Sequence, residues 1–278
     1  MSTPWWNSDV PFEFPRVTAA GMLRTLLKGA ALILLVFGGL AVLLVLRLIE
    51  RPLYGQRRPI TPYLTVSVCW LSMRIIGLRH VVHGAPMQGQ GAIVANHSSW
   101  MDVFVLNATK RIYFVAKSEV AGWPGIGWLA RATGTVFIAR DRKQAQEQTK
   151  VFQQRLLAGH KLLFFPEGTS TDGRQVLPFK STLFQAFFAP ELRDTLQVQP
   201  VSISFHAPEG ADPRYYGWWG DMSFGGSLPT LLSPARHGWV EVTYHPPLKV
   251  ADFPNRKALA EAAETAVRAG HAPSQITE

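Results

Sequence analysis

The 278-residue sequence contains one cysteine, Cys69. An intramolecular disulfide is therefore impossible, and a zinc site built on cysteines is excluded. That usage fits a reducing compartment. Charge is also scarce. Only 17% of the residues are charged, against about 25% in ordinary soluble domains. Hydrophobic residues make up 47%, which excludes a disordered or fibrous chain. Acidic residues are rarest where basic ones are commonest. Residues 1–180 hold 21 Lys and Arg against 9 Asp and Glu, a net of +12, whereas residues 181–278 hold 7 against 10, a net of −3. A basic chain this apolar suits a membrane surface rather than nucleic acid, which selects basic but more polar domains. There is no internal repeat, no low-complexity tract, no Gly-x-Ser-x-Gly nucleophile turn and no His-Glu-x-x-His zinc helix.

A long apolar run is present. Gly29 to Leu46 holds 18 residues without a charge, bounded by Lys28 and Arg47. As a helix it rises about 27 Å, close to the apolar thickness of a bilayer. A cleaved signal peptide fits poorly, because the run starts late, after Asp9 and Glu13, and is long for a signal core. A second uncharged stretch, Pro59 to Met73, is shorter and reads as a re-entrant or interfacial helix with Trp70 at headgroup level. Arg16, Arg24 and Lys28 precede the first run, and Arg47, Arg51, Arg57 and Arg58 lie between the two. Basic residues on both sides leave the orientation open, so a single crossing and a shallow hairpin are both compatible. The expected division is a membrane-anchoring segment over residues 1–74 and a catalytic unit over 75–278.

The rest reads as one α/β unit. Strand-like runs are Gly91–Ala95, Ile112–Val115, Thr135–Ile138, Lys161–Phe165, Gln197–Phe205 and Trp239–Tyr244, with helix-like runs at Trp100–Thr109, Arg142–Ala158 and Leu183–Phe188. The alternation predicts a mixed, largely parallel sheet flanked by helices, preceded by the membrane helix or helical hairpin. Ala207–Arg236, rich in Gly, Pro and aromatics, reads as an irregular loop, and residues 256–269 as a terminal surface helix.

Chemistry gathers at the strand ends. His97 follows the strand Gly91–Ala95, and Asp102 stands five residues later. On one continuous helix the two would sit about 140° apart. They meet only if His97 lies on the loop and folds back over the first turn of a helix holding Asp102, which Ser98 or Ser99 can cap. A carboxylate on one imidazole nitrogen fixes the tautomer and leaves the other as a base. Glu167 follows the apolar strand Lys161–Phe165, where Pro166 ends the ladder and Gly168 permits a turn. Arg140 ends the strand Thr135–Ile138, suited to an anion or to solvent. Val198–Ile203 is an apolar strand with no ionisable residue. The histidines of Arg79-His80-Val81-Val82-His83 have strand-like spacing and fit a surface or core role better than a metal site.

The order of these blocks is more specific than any one of them. His97-x4-Asp102, then Gly134-x-x-Phe137-Ile138-x-Arg140, then Phe165-Pro166-Glu167-Gly168-Thr169, then Pro200-Val201 resembles the glycerolipid acyltransferase family that includes 1-acylglycerol-3-phosphate acyltransferase. The resemblance covers about residues 75–245. It implies that His97 is a general base deprotonating an acceptor hydroxyl, which attacks the thioester of acyl carrier protein or coenzyme A, and that Asp102 orients it. No cofactor and no metal are implied, and no acyl-enzyme. Arg140, Glu167, Gly168 and Thr169 are implied in acceptor binding, and Lys117 and Lys180 in holding anionic groups. Asn96 and nearby backbone donors are candidates for the thioester oxyanion. Ser170 stands where family members with a phosphate acceptor often carry arginine, the usual partner of a phosphate dianion. Arg174, four residues on, is a candidate substitute. The Glu167-Gly168-Thr169-Ser170-x-Asp172-Gly173 form and the Trp218-Trp219-Gly220-Asp221-Met222 segment resemble the branch acylating lyso-ornithine lipid. The expected partners are the bilayer, a lysolipid and the acyl thioester, with no nucleic acid. The expected location is the bacterial cytoplasmic membrane, with the catalytic unit on its cytoplasmic face.

Overall fold

The computed structural model describes residues 12–139 and 145–272. Arg140 lies outside the described residues. Eight strands form one sheet: β1 (Arg79–His83), β2 (Gly91–Ala95), β3 (Tyr113–Lys117), β4 (Val136–Ile138), β5 (Leu162–Phe164), β6 (Gln197–His206), β7 (Trp239–Tyr244) and β8 (Leu248–Lys249). Their order is β1-β7-β6-β2-β5-β3-β4, with β8 added beside β6. The five strands β6, β2, β5, β3 and β4 run parallel, and β7 turns the direction by pairing antiparallel with β6. The expected mixed, largely parallel sheet is thus found.

β2 shows why these residues form a central strand. All five of its residues are buried, as expected for a parallel strand covered on both faces. The side chains alternate between two cores. Ile93 and Ala95 face a cluster with Leu163, Val201 and Ile203, covered by Met73, Ile76, Leu106 and Leu231. Ala92 and Val94 face Leu162 and Phe164, covered by Phe152, Phe184, Phe187, Leu259 and Ala263.

Helices cover the faces: α1 (Ala19–Tyr54), α2 (Thr61–Ile76), α3 (Asp102–Asn107), α4 (Ile126–Thr133), α5 (Ala145–Leu157), α6 (Pro190–Arg193), α7 (Phe224–Leu232) and α8 (Arg256–Gly270). α8 is the expected surface helix. Asn255 caps it by accepting from the Lys257 and Ala258 N–H groups, and Leu259, Ala260, Ala263 and Val267 form its buried stripe.

The two apolar runs form a helical hairpin. α1 has 36 residues, about 54 Å of helix, and begins where the Thr18 hydroxyl accepts from the Gly21 N–H at 3.1 Å. Its buried Glu50 supplies the cap of the next helix: one carboxylate accepts from the Ile60 N–H (2.7 Å), the Thr61 N–H (3.2 Å), the Thr61 hydroxyl (2.7 Å) and Arg47 (2.9 Å). Both ends of α1 are tied to the sheet domain. Near the start, Arg24 donates to the Ser233 carbonyl (2.6 Å) and Lys28 to that of Ile76 (2.7 Å). Just past the far end, Arg58 donates to the Ala132 carbonyl (2.6 Å). From Gly29 to Leu46 the helix is apolar all round. Only 6% of its most apolar 18-residue stretch is buried, and Leu23, Leu26, Leu27, Leu34, Leu44, Leu48 and Leu53 are exposed.

Three features refine the reading of the sequence. The division after residue 74 falls inside the last turn of α2, and Met73 and Ile76 on that turn belong to the main core. Ala207–Arg236 is not wholly irregular: it holds α7, capped by the Ser223 hydroxyl, which Gly225, Gly226 and Pro229 disguise in the sequence. The Leu183–Phe188 run is a 3-10 helix.

Candidate active site

The carboxyl ends of β2 and β5 lie side by side, so the loops holding His97 and Glu167 emerge from one rim of the sheet, where parallel sheets collect their sites. His97 and Asp102 meet there. His97 Nδ1 stands 2.7 Å from Asp102 Oδ2. The same oxygen accepts the backbone N–H groups of Ser98 (2.9 Å) and Ser99 (3.1 Å). The expected serine cap is therefore reversed: a carboxylate in the first turn of α3 gathers the loop's amides, and the Ser99 hydroxyl accepts only from the Met101 N–H (3.3 Å). Asp102 is fully buried, whereas the His97 side chain keeps about 20% of its surface. The imidazole stacks on Phe165, with ring centroids 4.0 Å apart and 9° between planes. Its second nitrogen, Nε2, has no hydrogen-bond partner among the described residues. One nitrogen fixed and one open is the arrangement of a general base.

The Phe165–Ser170 block holds the main chain of this histidine. Glu167 Oε1 accepts the His97 N–H at 2.7 Å, and its Oε2 accepts the Leu177 N–H at 2.8 Å. The Thr171 N–H (2.8 Å) and hydroxyl (3.2 Å) both donate to the His97 carbonyl. The Trp218 N–H donates to the Ser98 carbonyl at 2.8 Å. Glu167 is buried with both oxygens engaged, so it acts on the site through His97's backbone and offers no face to a lipid. Burial pushes its carboxyl up to about 8, with the Asp102 charge adding to the rise, against the pull of the two N–H donors.

Other expected residues lie at varied distances from this centre. Gly168 takes a φ of 72°, and a Cβ there would meet Lys180 Nζ at 2.8 Å, so Lys180 lies over that turn. Thr169 is half-buried beside it, and Arg174 is exposed, its N–H bonded to Asp172 at 3.0 Å. Lys117 ends β3, two strands from β2, about 10 Å along the rim. β4, which leads to Arg140, lies one strand further. Asn96 is not available for an oxyanion. It is buried with its amide used at both ends on the Ile203 backbone (2.8 Å each), locking β2 to β6. Cys69 is buried in α2, and burial pushes its thiol up to about 12, which removes it as a nucleophile. Sequence reasoning missed Thr171, Phe165 as a stacking surface, and the Trp218 amide. The only signal for them was proximity to the recognised blocks.

Known proteins place this geometry in a family. The pattern of the family described as Acyltransferase matches residues 77–204, which contain His97, Asp102 and Glu167. A lyso-ornithine lipid O-acyltransferase from Rhodobacter capsulatus is 56% identical over 270 residues, covering 97% of this chain and 98% of that protein. The chain belongs to the acyltransferase family. This acyltransferase is also 39% identical, over 113 residues, to a 1-acyl-sn-glycerol-3-phosphate acyltransferase from Neisseria gonorrhoeae, covering 40% of this chain and 44% of that protein. Its fold matches the crystal structure of the 1-acyl-sn-glycerophosphate acyltransferase PlsC from Thermotoga maritima, with a TM-score of 0.62, 23% identity, and 90% and 94% of the two chains covered. The acyltransferase keeps its His97–Asp102 pair on a rim formed by strands that the whole fold aligns.

Proposed function

We propose that the enzyme acylates the free hydroxyl of a lysolipid, with His97 as general base and an acyl carrier protein or coenzyme A thioester as donor. The observation that carries this reading is the 2.7 Å contact of His97 Nδ1 with Asp102, beside an Nε2 that has no partner among the described residues. Nε2 takes the acceptor's hydroxyl proton as its oxygen attacks the thioester carbonyl. The C–S bond then breaks, the thiolate takes the proton from the imidazolium, and an ester and a thiol result. Asp102 stabilises the imidazolium between the two steps. The chain's own residues and the thioester suffice, so no cofactor enters the scheme.

The proposed acceptor is lyso-ornithine lipid. The 56%-identical relative carries that name. Ser170 replaces the arginine expected beside a phosphate acceptor, and the neighbouring charges alternate in sign: Asp172 and Arg174 stand near Arg214, which is paired with Asp212 at 2.6 Å. A headgroup carrying both a carboxylate and an ammonium matches such a set better than a phosphate dianion does. Glu167, Gly168 and Thr169 shape this side of the rim, with Lys117 and Lys180 as further cations; Arg140, outside the described residues, is proposed for the same role from its sequence block alone.

We also infer that the hairpin lies in one leaflet of the bacterial cytoplasmic membrane, with the catalytic rim on the cytoplasmic side. The exposed leucines of α1 need lipid, and both its ends are held to the same water-soluble body. The decisive experiment supplies purified enzyme with labelled acyl carrier protein and either lyso-ornithine lipid or 1-acylglycerol-3-phosphate. Ornithine lipid as the main product is expected. Product from the phosphate acceptor alone overturns the acceptor assignment, and no product from either overturns the reaction.

A further inference from the structure

The rim opposite His97 carries a second polar cluster that catalysis does not use. Tyr113 opens β3 and His160 stands just before β5, both at the amino ends of their strands. The Tyr113 ring is packed by the His160 ring (centroids 4.4 Å apart), by the Arg155 guanidinium (5.0 Å) and by that of Arg58 (6.0 Å). Both guanidiniums also meet at Gly134. Arg155 Nη2 donates to its carbonyl at 2.8 Å, and a Cβ on Gly134 would stand 2.9 Å from Arg58 Cζ.

Among the described residues no carboxylate is hydrogen-bonded to either guanidinium. Arg155 Nε donates to His160 Nδ1 at 2.6 Å, and burial with the Arg155 and Arg58 charges brings the histidine down to about 4, so it stays neutral. Burial lowers both arginines as well; the Arg47 charge lowers Arg58 further, and the Arg58 charge lowers Arg155 further, to about 10. The Glu50 charge reaches Arg58, but that carboxylate is already occupied by four donors. Arg58 Nε and Nη2 and Arg155 Nη1 have no partner among the described residues. Two partly buried cations packed on one aromatic ring keep three donors open to an anion.

We propose that Arg58 and Arg155 form a seat for the phosphate of an anionic membrane-lipid headgroup, at the rim opposite the catalytic one. The membrane side is set by continuity. Arg58 follows the end of α1 by four residues, and α1 exposes Leu44, Leu48 and Leu53 on its last turns. Arg57 and Arg111 are exposed around the seat, and Arg111 stacks over Tyr63 of α2 at 4.4 Å. A planar guanidinium fork binds a phosphate through two donors, which a general positive surface does not do.

The test measures binding of the purified full-length protein to vesicles of phosphatidylcholine alone and with one-fifth phosphatidylglycerol. The substitutions are Arg58→Gln, Arg155→Gln, both together, and Arg58→Lys with Arg155→Lys, which keeps charge and stem but removes the forks. Arg57→Gln is the control for unspecific attraction. Thermal melting and acyl transfer in detergent micelles confirm that each variant folds. Wild type is expected to prefer the anionic vesicles, each seat substitution to reduce that preference about five-fold, the lysine pair to lose most of it, and Arg57→Gln to have the smallest effect. An equal loss in Arg57→Gln, or an unchanged preference in the lysine pair, overturns the seat. Inorganic phosphate that raises the melting temperature of wild type but not of the double glutamine variant, with vesicle binding unchanged, overturns the lipid as occupant. A fall in kcat/KM for acyl carrier protein alone, with vesicle binding intact, overturns it in favour of the carrier. These readouts are independent of the His97 mechanism, so the failure of either proposal leaves the other standing.

Discussion

The two rims of one sheet handle buried charge in opposite ways. At the carboxyl rim the carboxyls draw on donors of the chain, Asp102 Oδ2 on three and Glu167 on two, while Asp102 Oδ1 is buried with no partner among the described residues. In the proposed mechanism the cation at this rim is the His97 imidazolium, formed only during the reaction. At the amino rim the permanent cations Arg58 and Arg155 are packed on Tyr113 with donors left over. A site that moves a proton needs its partners fixed before the reaction, so that little reorganises when charge develops. A site that holds a ligand needs partners left incomplete. The difference lies in which group is left open: a single imidazole nitrogen at one rim, and the donors of two permanent cations at the other.

This contrast can be broken most sharply at His97. His97→Ala is expected to lower acyl transfer by about 10²–10⁴-fold, with membrane association unchanged; a rate retained in purified variant would remove the base. Asp102→Asn is expected to cost about 10²-fold while the fold survives, because the tautomer and the loop amides lose their shared acceptor. If Arg155→Gln slowed transfer in micelles as deeply, the division between rims would collapse.

Glu167→Gln sharpens the comparison through pH. A glutamine oxygen can accept from His97 or from Leu177, not from both, so a moderate rate loss of about ten-fold is expected. The carboxyl of the folded protein holds its proton to about 8, above the ordinary glutamate range. The stability it contributes is therefore complete at low pH and lost as pH rises from about 4.5 through 8. Melting temperatures of wild type should fall across that window more steeply than those of Glu167→Gln; parallel curves would show that Glu167 is ionised throughout. Thr171→Val has the smallest expected effect, because the Thr171 N–H still holds the His97 carbonyl after the hydroxyl is lost. A rate loss of about five-fold matches one hydrogen bond, and no change would show that the backbone bond alone positions the loop.

Much of the catalytic rim was legible in the sequence because it is local. The His97–Asp102 spacing, the strand before it and the turn at Pro166–Gly168 each lie within a few residues, and periodicity plus turn chemistry read them. The strand runs Gly91–Ala95 and Trp239–Tyr244 carry their own patterns and matched the structure residue for residue. What stayed hidden depends on contacts distant in sequence. Asn96 looked like a free donor until Ile203, 107 residues away, took both ends of its amide. Glu167 looked like a ligand for the substrate until its partner proved to be the N–H of His97, 70 residues upstream. α7 was obscured by its own glycines and proline, whose local preference is overridden by packing of Leu231 and Leu232 in the core.

α1 has a mechanical consequence. Held by Arg24 and Lys28 at one end and by Glu50 and Arg58 near the other, it acts as a beam supported at both ends, and a beam does not tilt freely. Once its leucines rest among acyl chains, the height of the catalytic rim above the lipid is a constant of the protein. Inserting one helical turn between the supports would displace one of them by about 5.4 Å and tip the rim out of level. With the proposed membrane placement, the search for the acceptor becomes a search in two dimensions.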